Sequence, residues 1–190
     1  MVTWGDADEG GDSSGVPLSD VREICSTEFA FAALQVNGSV VTWGDSRYGG
    51  DSSSVTLSDV HEIYSSYSAF AALLSDNSVV TWGDADEGGD SSGVTLSDVR
   101  KIYSTEFAFA ALQADGSVVT WGDSRYGGDS SGVALSDVRK IYSTAYAFAA
   151  LQADGSVVTW GDADEGGDSS GVTLSDGHEI YSTDRAFAMF

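Results

Sequence analysis

The side chains with the clearest chemical potential lie in short acidic, glycine-rich loops. The first loop reads DADEGGD, in which Asp6, Asp8, Glu9 and Asp12 supply carboxylate oxygens of the kind that bind Ca²⁺. Calcium needs about six to eight oxygen ligands, and an EF-hand loop ends in a bidentate glutamate at its twelfth position. Here that position holds Pro17, and the glycines do not match the EF-hand spacing. The loops therefore predict no dedicated metal site and at most weak cation binding.

The same loops alternate in type along the chain. DADEGGD occurs in the first, third and fifth copies, and DSRYGGD in the second and fourth. Arg47 or Arg125 could face a carboxylate of the adjacent loop, although an exposed ion pair contributes only about 0 to 1 kcal/mol. Two interpretations stay open: the loops form an acidic and aromatic rim that contacts a partner, or they are solvated loops with weak pairing. Runs of charged residues are more often solvated surface. The candidate rim residues are Arg47, Tyr48, Arg125, Tyr126, Asp8, Glu9, Asp86, Glu87, Asp164 and Glu165.

No residues form an enzyme signature. The sequence has no nucleophile elbow, phosphate-binding loop or HExxH motif. His61 and His178 have no second histidine or cysteine nearby in sequence, so metal ligation is not expected. Cys25 is the single cysteine, which excludes a disulfide framework and is typical of a small core residue. We therefore predict a non-enzymatic protein with no cofactor and no catalytic or metal-binding residues.

Tryptophan recurs once in every copy of the repeat. Core packing is the favoured interpretation, because each indole is the largest side chain of its strand. The alternative is a carbohydrate-binding, lectin-like module that uses Trp and Tyr rings as sugar platforms together with the loop carboxylates. The tryptophans are Trp4, Trp43, Trp82, Trp121 and Trp160.

The charge of the chain limits its partners. With 30 acidic and 8 basic residues, the formal net charge is −22. Nucleic acids and anionic membrane surfaces would be repelled, whereas basic partners would be attracted. No basic leader or long apolar run precedes Val2, and no stretch reaches membrane-spanning length. We expect a soluble chain, with no compartment indicated.

Above the level of single residues, the chain is one unit written five times. VTWGD begins each unit, and the period is 39 residues. A period of this size predicts a repeat architecture in which units too small to bury their own apolar faces stack on one another. We expect one repeat domain over residues 1–190, with units 2–40, 41–79, 80–118, 119–157 and 158–190.

Each unit predicts three antiparallel strands. Asp115-Gly116 lies between AFAALQA and SVVTWGD, a strong hairpin signal for a type I′ turn. The run VRKIYST, from Val99 to Thr105, adds a third strand. A helical alternative, capped at Ser97 or Asp98, would give a strand-and-helix solenoid, but Ser104-Thr105 and the clustered aromatic residues oppose it.

Both faces of the middle strand are apolar, as expected for a sheet covered on both sides. One face carries Ala108, Ala110 and Leu112, and the other carries Phe107, Phe109 and Ala111. Small sheets packed face to face are typical of a propeller. The fold class that we predict is an all-β propeller-type tandem repeat.

The pattern G-S-V-V-T-W-G-D-x-x-x-G-G, followed by V-R-K-I-Y-S and F-A-F-A-A-L-Q-A-D-G, resembles the repeat of regulator of chromosome condensation proteins. The short unit is most similar to the three-stranded blades of beta-lactamase inhibitory protein II. The resemblance covers essentially the whole chain and implies a propeller, commonly of seven blades. Members of the family differ in activity, from nucleotide exchange on a small GTPase to beta-lactamase inhibition. This chain departs from the family in having five acidic, nearly identical units, as expected from recent duplication or from engineering of a symmetric propeller.

The two ends of the chain carry complementary strand segments. The chain opens on VTWG and stops at AFAMF, where the next turn and VTWG strand would follow. The first strand could complete the last sheet, either within one chain or between copies, and we favour a homodimer or another homo-oligomer. The predicted assembly residues are Val2, Thr3, Trp4, Phe187, Met189 and Phe190. The sequence thus predicts a self-assembling, protein-binding scaffold.

Overall fold

The computed structural model describes residues 1–174 and 179–190 and consists mainly of antiparallel β-sheet. Within this part of the chain, four sheets have three strands each and a fifth has two, and we call them blades 1 to 5. Their strands are β1 (Val21–Ser26), β2 (Ala30–Gln35) and β3 (Val40–Gly44); β4 (Val60–Ser65), β5 (Ala69–Leu74) and β6 (Val79–Gly83); β7 (Val99–Ser104), β8 (Ala108–Gln113) and β9 (Val118–Gly122); β10 (Val138–Ser143), β11 (Ala147–Gln152) and β12 (Val157–Gly161); β13 (Ile180–Ser182) and β14 (Phe187–Met189).

The predicted all-β propeller architecture is confirmed, and the helical alternative is wrong. The VRKIYS run forms β7, which pairs with β8 from Val99 to Ser104 with a register shift between Val99 and Lys101. Helix is confined to one short turn in each glycine-rich loop among the described residues: Ala7–Gly11, Ser46–Tyr48, Ala85–Gly89, Ser124–Tyr126 and Ala163–Glu165. The third strand of each complete blade comes from the VTWG motif, so a blade spans the boundary between two sequence units.

The hairpin at Asp115-Gly116 forms, but its predicted type I′ turn is wrong. Only Gly116 has a positive φ, of +85°, and Asp115 does not. The Gly116 N–H donates to the Gln113 carbonyl (3.1 Å), and the Gln113 N–H donates to the Ser117 carbonyl (2.9 Å). This pattern is typical of a three-residue hairpin loop that ends in a left-handed residue. In blade 2 the left-handed position holds Asn77 (φ +66°), a residue type that tolerates this conformation.

The core lies between the blades. One cluster joins Ala69, Ala71 and Leu73 of blade 2 to buried residues of blade 3 that include Phe109 and Ala111, and the opposite face of β8 packs against blade 4. The predicted two-sided burial of the middle strand is therefore confirmed. Phe107, which we placed on the same face as Phe109, instead lies in the β7–β8 turn and is half-buried.

Four Phe–Trp pairs tie the blades to the loops. In each complete blade a phenylalanine of the middle strand stacks on a tryptophan of the third strand, with ring centroids 5.1 to 5.3 Å apart. In blade 3 the Trp121 indole N–H donates to the carbonyl of Gly88, in the loop that arrives from blade 2 (3.0 Å). The same bond recurs in the other complete blades, so the first four loops are each fastened to the blade that follows them.

We expect Trp121→Phe to lower the free energy of unfolding by about 2 kcal/mol, because the Gly88 carbonyl loses its buried donor. Urea denaturation followed by circular dichroism measures this change. At protein concentrations that keep the chains separate, Trp4→Phe is the matched control, since Trp4 is 84% exposed in the single chain. Equal unfolding free energies in the two variants would contradict a stabilising role for the indole bond.

Backbone hydrogen bonds link successive blades around the propeller axis. The Glu28 N–H donates to the Tyr67 carbonyl (3.0 Å), Tyr67 to Glu106 (2.7 Å), Glu106 to Ala145 (2.8 Å), and Ala145 to Asp184 (2.9 Å). These residues occupy one position of the repeat, in the turn after the first strand of each blade. The series ends at blades 1 and 5, and the ring is open.

Candidate protein-interaction surfaces

The rim loops are organised by local contacts rather than by pairing between loops. The Asp45 carboxylate accepts the Arg47 backbone N–H (2.9 Å) and pairs with the Arg47 guanidinium (2.5 Å). Arg125 makes the same contacts with Asp123. The pairing between neighbouring loops predicted for Arg47 and Arg125 is therefore wrong, because the arginine lies two residues after its own loop's capping aspartate. The Arg47 guanidinium lowers the pKa of the Asp45 carboxyl.

The acidic rim residues divide into exposed and half-buried positions. Asp8, Glu9, Asp86 and Asp164 are exposed, whereas Glu87 is half-buried. Glu165 is half-buried and forms an ion pair with Arg185 (2.9 Å), which belongs to the β13–β14 turn of the following blade. The set therefore does not form one continuous ion-pair network.

Glu87 differs from the other rim carboxylates. Its backbone carbonyl accepts from the Ser66 hydroxyl (3.4 Å), the bond that Tyr48, Tyr126 and Glu165 accept from a threonine hydroxyl in blades 1, 3 and 4. Glu87 thus takes the place of a rim tyrosine. Its Oε2 atom is buried and has no hydrogen-bond partner among the described residues. This oxygen leaves a negative charge without a hydrogen-bond donor at the rim.

Six aromatic rings form a continuous arc across the face that carries these loops, and we call it the aromatic arc. Neighbouring rings have centroids 4.5 to 6.2 Å apart, within the usual range for interacting aromatic pairs. Tyr67 is 38% exposed, and the other five rings are half-buried. The arc consists of Phe29, Tyr48, Tyr67, Phe107, Tyr126 and Tyr146.

Three arginines lie over rings of the aromatic arc. The guanidinium carbon is 5.4 Å from the ring centroid for Arg47 over Tyr48, and 5.1 Å for Arg125 over Tyr126. Arg185 lies 5.6 Å from the centroid of Tyr146. The negative charge of Glu106 raises the pKa of the Tyr146 hydroxyl. The sequence indicated Tyr48 and Tyr126 as contact residues but missed the other four rings, which stand next to strand residues in the chain.

The amino-terminal edge is open. Trp4 is 84% exposed, whereas the tryptophans at this position in the other four copies are 3 to 5% exposed. Met1–Trp4 belongs to no sheet, yet the Thr3 hydroxyl donates to the Ser13 hydroxyl (2.9 Å), as Thr42 does to Ser52 (3.0 Å). Ile24 of β1 is 45% exposed, against 1 to 4% at the same position of the other blades.

The carboxy-terminal edge is open in a complementary way. Among the described residues blade 5 contains β13 and β14, and their register pairs Ile180 with Met189 and Ser182 with Phe187. Phe187 contacts Gly166 as the complete blades' phenylalanines contact their loop glycines, but it stacks on no tryptophan. Phe190 is 72% exposed. The predicted assembly residues therefore lie at the two free edges of the open ring.

The remaining sequence candidates are structural. Burial, with a smaller effect of the Glu23 and Glu62 carboxylates, raises the pKa of the Cys25 thiol to about 11, so the thiol stays protonated at neutral pH. The sugar-platform interpretation is wrong for the four buried tryptophans. His61 is exposed and its backbone carbonyl accepts from Arg22, while His178 lies outside the described residues.

Across residues 1–174 and 179–190, no group of three or more His, Cys, Asp or Glu side chains could hold a metal ion. None of the described helical segments has the length and apolar character needed to span a membrane.

No family model matches the chain, and no curated protein matches it either. Several solved structures are similar to it. Prp20p from Saccharomyces cerevisiae, described for its binding to Gsp1p and histones, has a TM-score of 0.55 at 18% identity, over 76% of this chain and 46% of that one. Human WBSCR16 has a TM-score of 0.54 at 14% identity, over 90% and 57%. The computationally designed Ika8 protein has a TM-score of 0.47 at 14% identity, over 89% and 54%.

The chain spans about half the length of these solved structures. At these identities the likeness concerns the fold alone. Prp20p is the yeast RCC1, so the chain has the fold of RCC1-like propeller repeats, as its sequence motifs predicted.

Proposed function

We propose that this chain is a non-catalytic propeller scaffold whose two open edges join copies into a closed ring. One observation carries the proposal: Trp4 is 84% exposed in a motif whose other four tryptophans are 3 to 5% exposed. An unpaired apolar strand segment, or the free edge of an incomplete sheet, is prone to pair with another chain. The open edges of blade 5 and of Met1–Gly5 supply the two halves of that pairing.

The register of the completed blade follows from the other blades. Phe109 lies opposite Trp121 and Ala110 lies opposite Thr120 in blade 3. Shifted by whole repeats, this register places Phe187 opposite Trp4 of a second copy, and Met189 opposite Val2. The new Phe–Trp pair would repeat the stacks of blades 1 to 4, and the Trp4 indole would donate to the Gly166 carbonyl.

A second contact adds to the strand pairing. In each complete interblade core, the middle strand of one blade supplies alanines and a leucine. These pack against the isoleucine of the next blade's first strand and against the Phe–Trp pair of that blade. Between copies, Ala188 and Phe190 would cover the exposed Ile24 in this way. The axial series of backbone bonds would continue from the Asp184 N–H to the Glu28 carbonyl of the second copy.

The geometry favours closure between copies rather than within one. The interblade backbone bonds all measure 2.7 to 3.0 Å, so the blades follow one another with a regular curvature that leaves the ring open after blade 5. Bending one chain shut would disrupt these bonds. Head-to-tail contacts form a closed ring where the rotation permits. We propose a homodimer as the smallest assembly of this type.

Native mass measured by light scattering on a sizing column tests the proposal. We expect about twice the 19.8 kDa of one chain, with dissociation on dilution. Added salt should strengthen the association, because each copy carries a net charge of −22 and salt screens their repulsion. A mass of one chain at every protein and salt concentration would overturn self-assembly.

Tryptophan fluorescence gives an independent readout. Burial of Trp4 on assembly should shift emission to shorter wavelength and reduce iodide quenching as the protein concentration rises. In Trp4→Phe the remaining tryptophans are buried, so this concentration-dependent shift should disappear. A shift that persists in Trp4→Phe would place the contact elsewhere.

A further inference from the structure

We propose that the aromatic arc binds an arginine-rich peptide segment of a basic partner protein. The arc is separate from both open edges, since its rings belong to the turns and loops of blades 1 to 4. The proposal therefore stands independently of ring closure.

The molecule's own arginines show which group these rings accept. Arg47, Arg125 and Arg185 have exposed side chains, yet each places its guanidinium 5.1 to 5.6 Å from the centroid of an arc tyrosine. A cation within about 6 Å of an aromatic centroid is attracted by the ring quadrupole. Arginine also stacks its planar group on the ring, which a lysine ammonium cannot do. Among the described residues no cation lies over Tyr67 or Phe107, so these two rings offer the same chemistry to a partner.

The Glu106 carboxylate lies close enough to Tyr146 of the arc to raise the pKa of the tyrosine hydroxyl. The buried Glu87 Oε2 has no hydrogen-bond partner in the described part of the chain, and Glu87 takes the place of a tyrosine in the rim position of blade 2. A guanidinium can both stack on an aromatic ring and donate to a carboxylate, which a neutral ligand cannot. Glu28 and Asp184 add exposed negative charge at the axial turns.

Next to the arc, the axial turns line an open depression. Its walls include Tyr67, Glu106 and Asp184, together with hydroxyl groups of Ser65 and Ser143. Hydroxyls donate and accept hydrogen bonds, so they can pair with the N–H and C=O groups of a bound strand. A second copy of this chain is a poor occupant, because both surfaces would be strongly acidic.

The test is fluorescence anisotropy with labelled octa-arginine, octa-lysine and octa-glutamate at 0.15 M NaCl. We expect the affinity for octa-arginine to be at least about fivefold higher than that for octa-lysine. The two peptides carry the same charge, but only arginine stacks its planar group on an aromatic ring. Octa-glutamate should not bind. Equal affinities for the two cationic peptides would overturn the proposal and assign binding to the overall charge alone.

A matched pair of double variants locates the site. Tyr67→Ala with Phe107→Ala should weaken octa-arginine binding about tenfold, whereas Tyr67→Phe with Phe107→Tyr, which keeps both rings, should bind as the parent does. Glu87→Gln should weaken binding without changing the fold, as circular dichroism would verify. Unchanged affinity in the double alanine variant would overturn the proposal. A change in native mass in that variant would do so too, since it would assign the arc to contact between copies.

Discussion

Deletion of Met1–Gly5 is expected to abolish ring closure and to leave a single-chain species with an exposed sheet edge. The five residues contain the strand that blade 5 lacks, including Trp4, which the structure leaves 84% exposed. They contribute little to the fold of the single chain, because they belong to no sheet within it. Light scattering should report the mass of one chain at concentrations where the parent protein forms the assembly, and the exposed edge should increase precipitation on storage.

A single substitution should weaken the association between copies by a measurable factor. Trp4→Ala keeps the strand backbone but removes the ring that would stack on Phe187, so association should weaken by about 100-fold or more. That factor follows from about 3 kcal/mol for a buried Trp→Ala change at 1.4 kcal/mol per tenfold. Val36→Ser is the matched control, because Val36 is exposed in the β2–β3 turn of blade 1, away from both open edges. Equal dissociation constants in these two variants would rule out the shared blade.

The repeat period and the alternation of side chains were sufficient to predict the sheets. A middle strand with alanines on one face and Phe109 with Ala111 on the other needs cover on both sides, and two interblade clusters provide it. The exposed ends were also predictable, since one copy of the VTWG motif had no hairpin partner before it. These features depend on strand periodicity, which is local in sequence.

Features that depend on turn geometry were harder to predict. The Asp-Gly pair suggested a two-residue turn, but the Ser117 hydroxyl donates to both Gln113 (2.5 Å) and Asp115 (2.6 Å). These bonds accompany the longer loop, in which glycine alone is left-handed. Likewise, the capping role of Asp45 brought Arg47 back onto its own loop, a contact two residues apart that competes with any contact between loops.

The aromatic arc required the three-dimensional arrangement. Phe29 and Tyr48 come from one blade, while Tyr67 comes from the next, and their rings meet only because successive blades place the same turn side by side. The sequence carried a partial signal: the repeat position of Phe29 is aromatic in three of the five copies, and the position of Tyr48 is aromatic in two. Without the relative placement of the blades, those positions resemble ordinary strand ends.

Gly88→Ala is expected to lower the free energy of unfolding by about 2 to 6 kcal/mol, from a left-handed backbone strain of about 1 to 3 kcal/mol and overpacking of about 1 to 3 kcal/mol. Gly88 has a φ of +105°, and a Cβ atom there would lie 2.5 Å from Cδ2 of Phe109. The Phe109 ring cannot move aside, because it is fully buried and stacks on Trp121 at 5.3 Å. Urea denaturation followed by circular dichroism measures the loss.

The matched control is Gly93→Ala, in the same loop region. A Cβ atom at Gly93 meets no heavy atom within 4 Å, and the residue is not left-handed. Alanine should therefore be neutral there or stabilise by up to about 1 kcal/mol through the unfolded state. Because Gly88 also presents the carbonyl that the Trp121 indole binds, its substitution strains the joint between blades 2 and 3. If the two alanine variants unfold at the same urea concentration, the close fit of the glycine loop against the Phe–Trp pair does not hold the blades together.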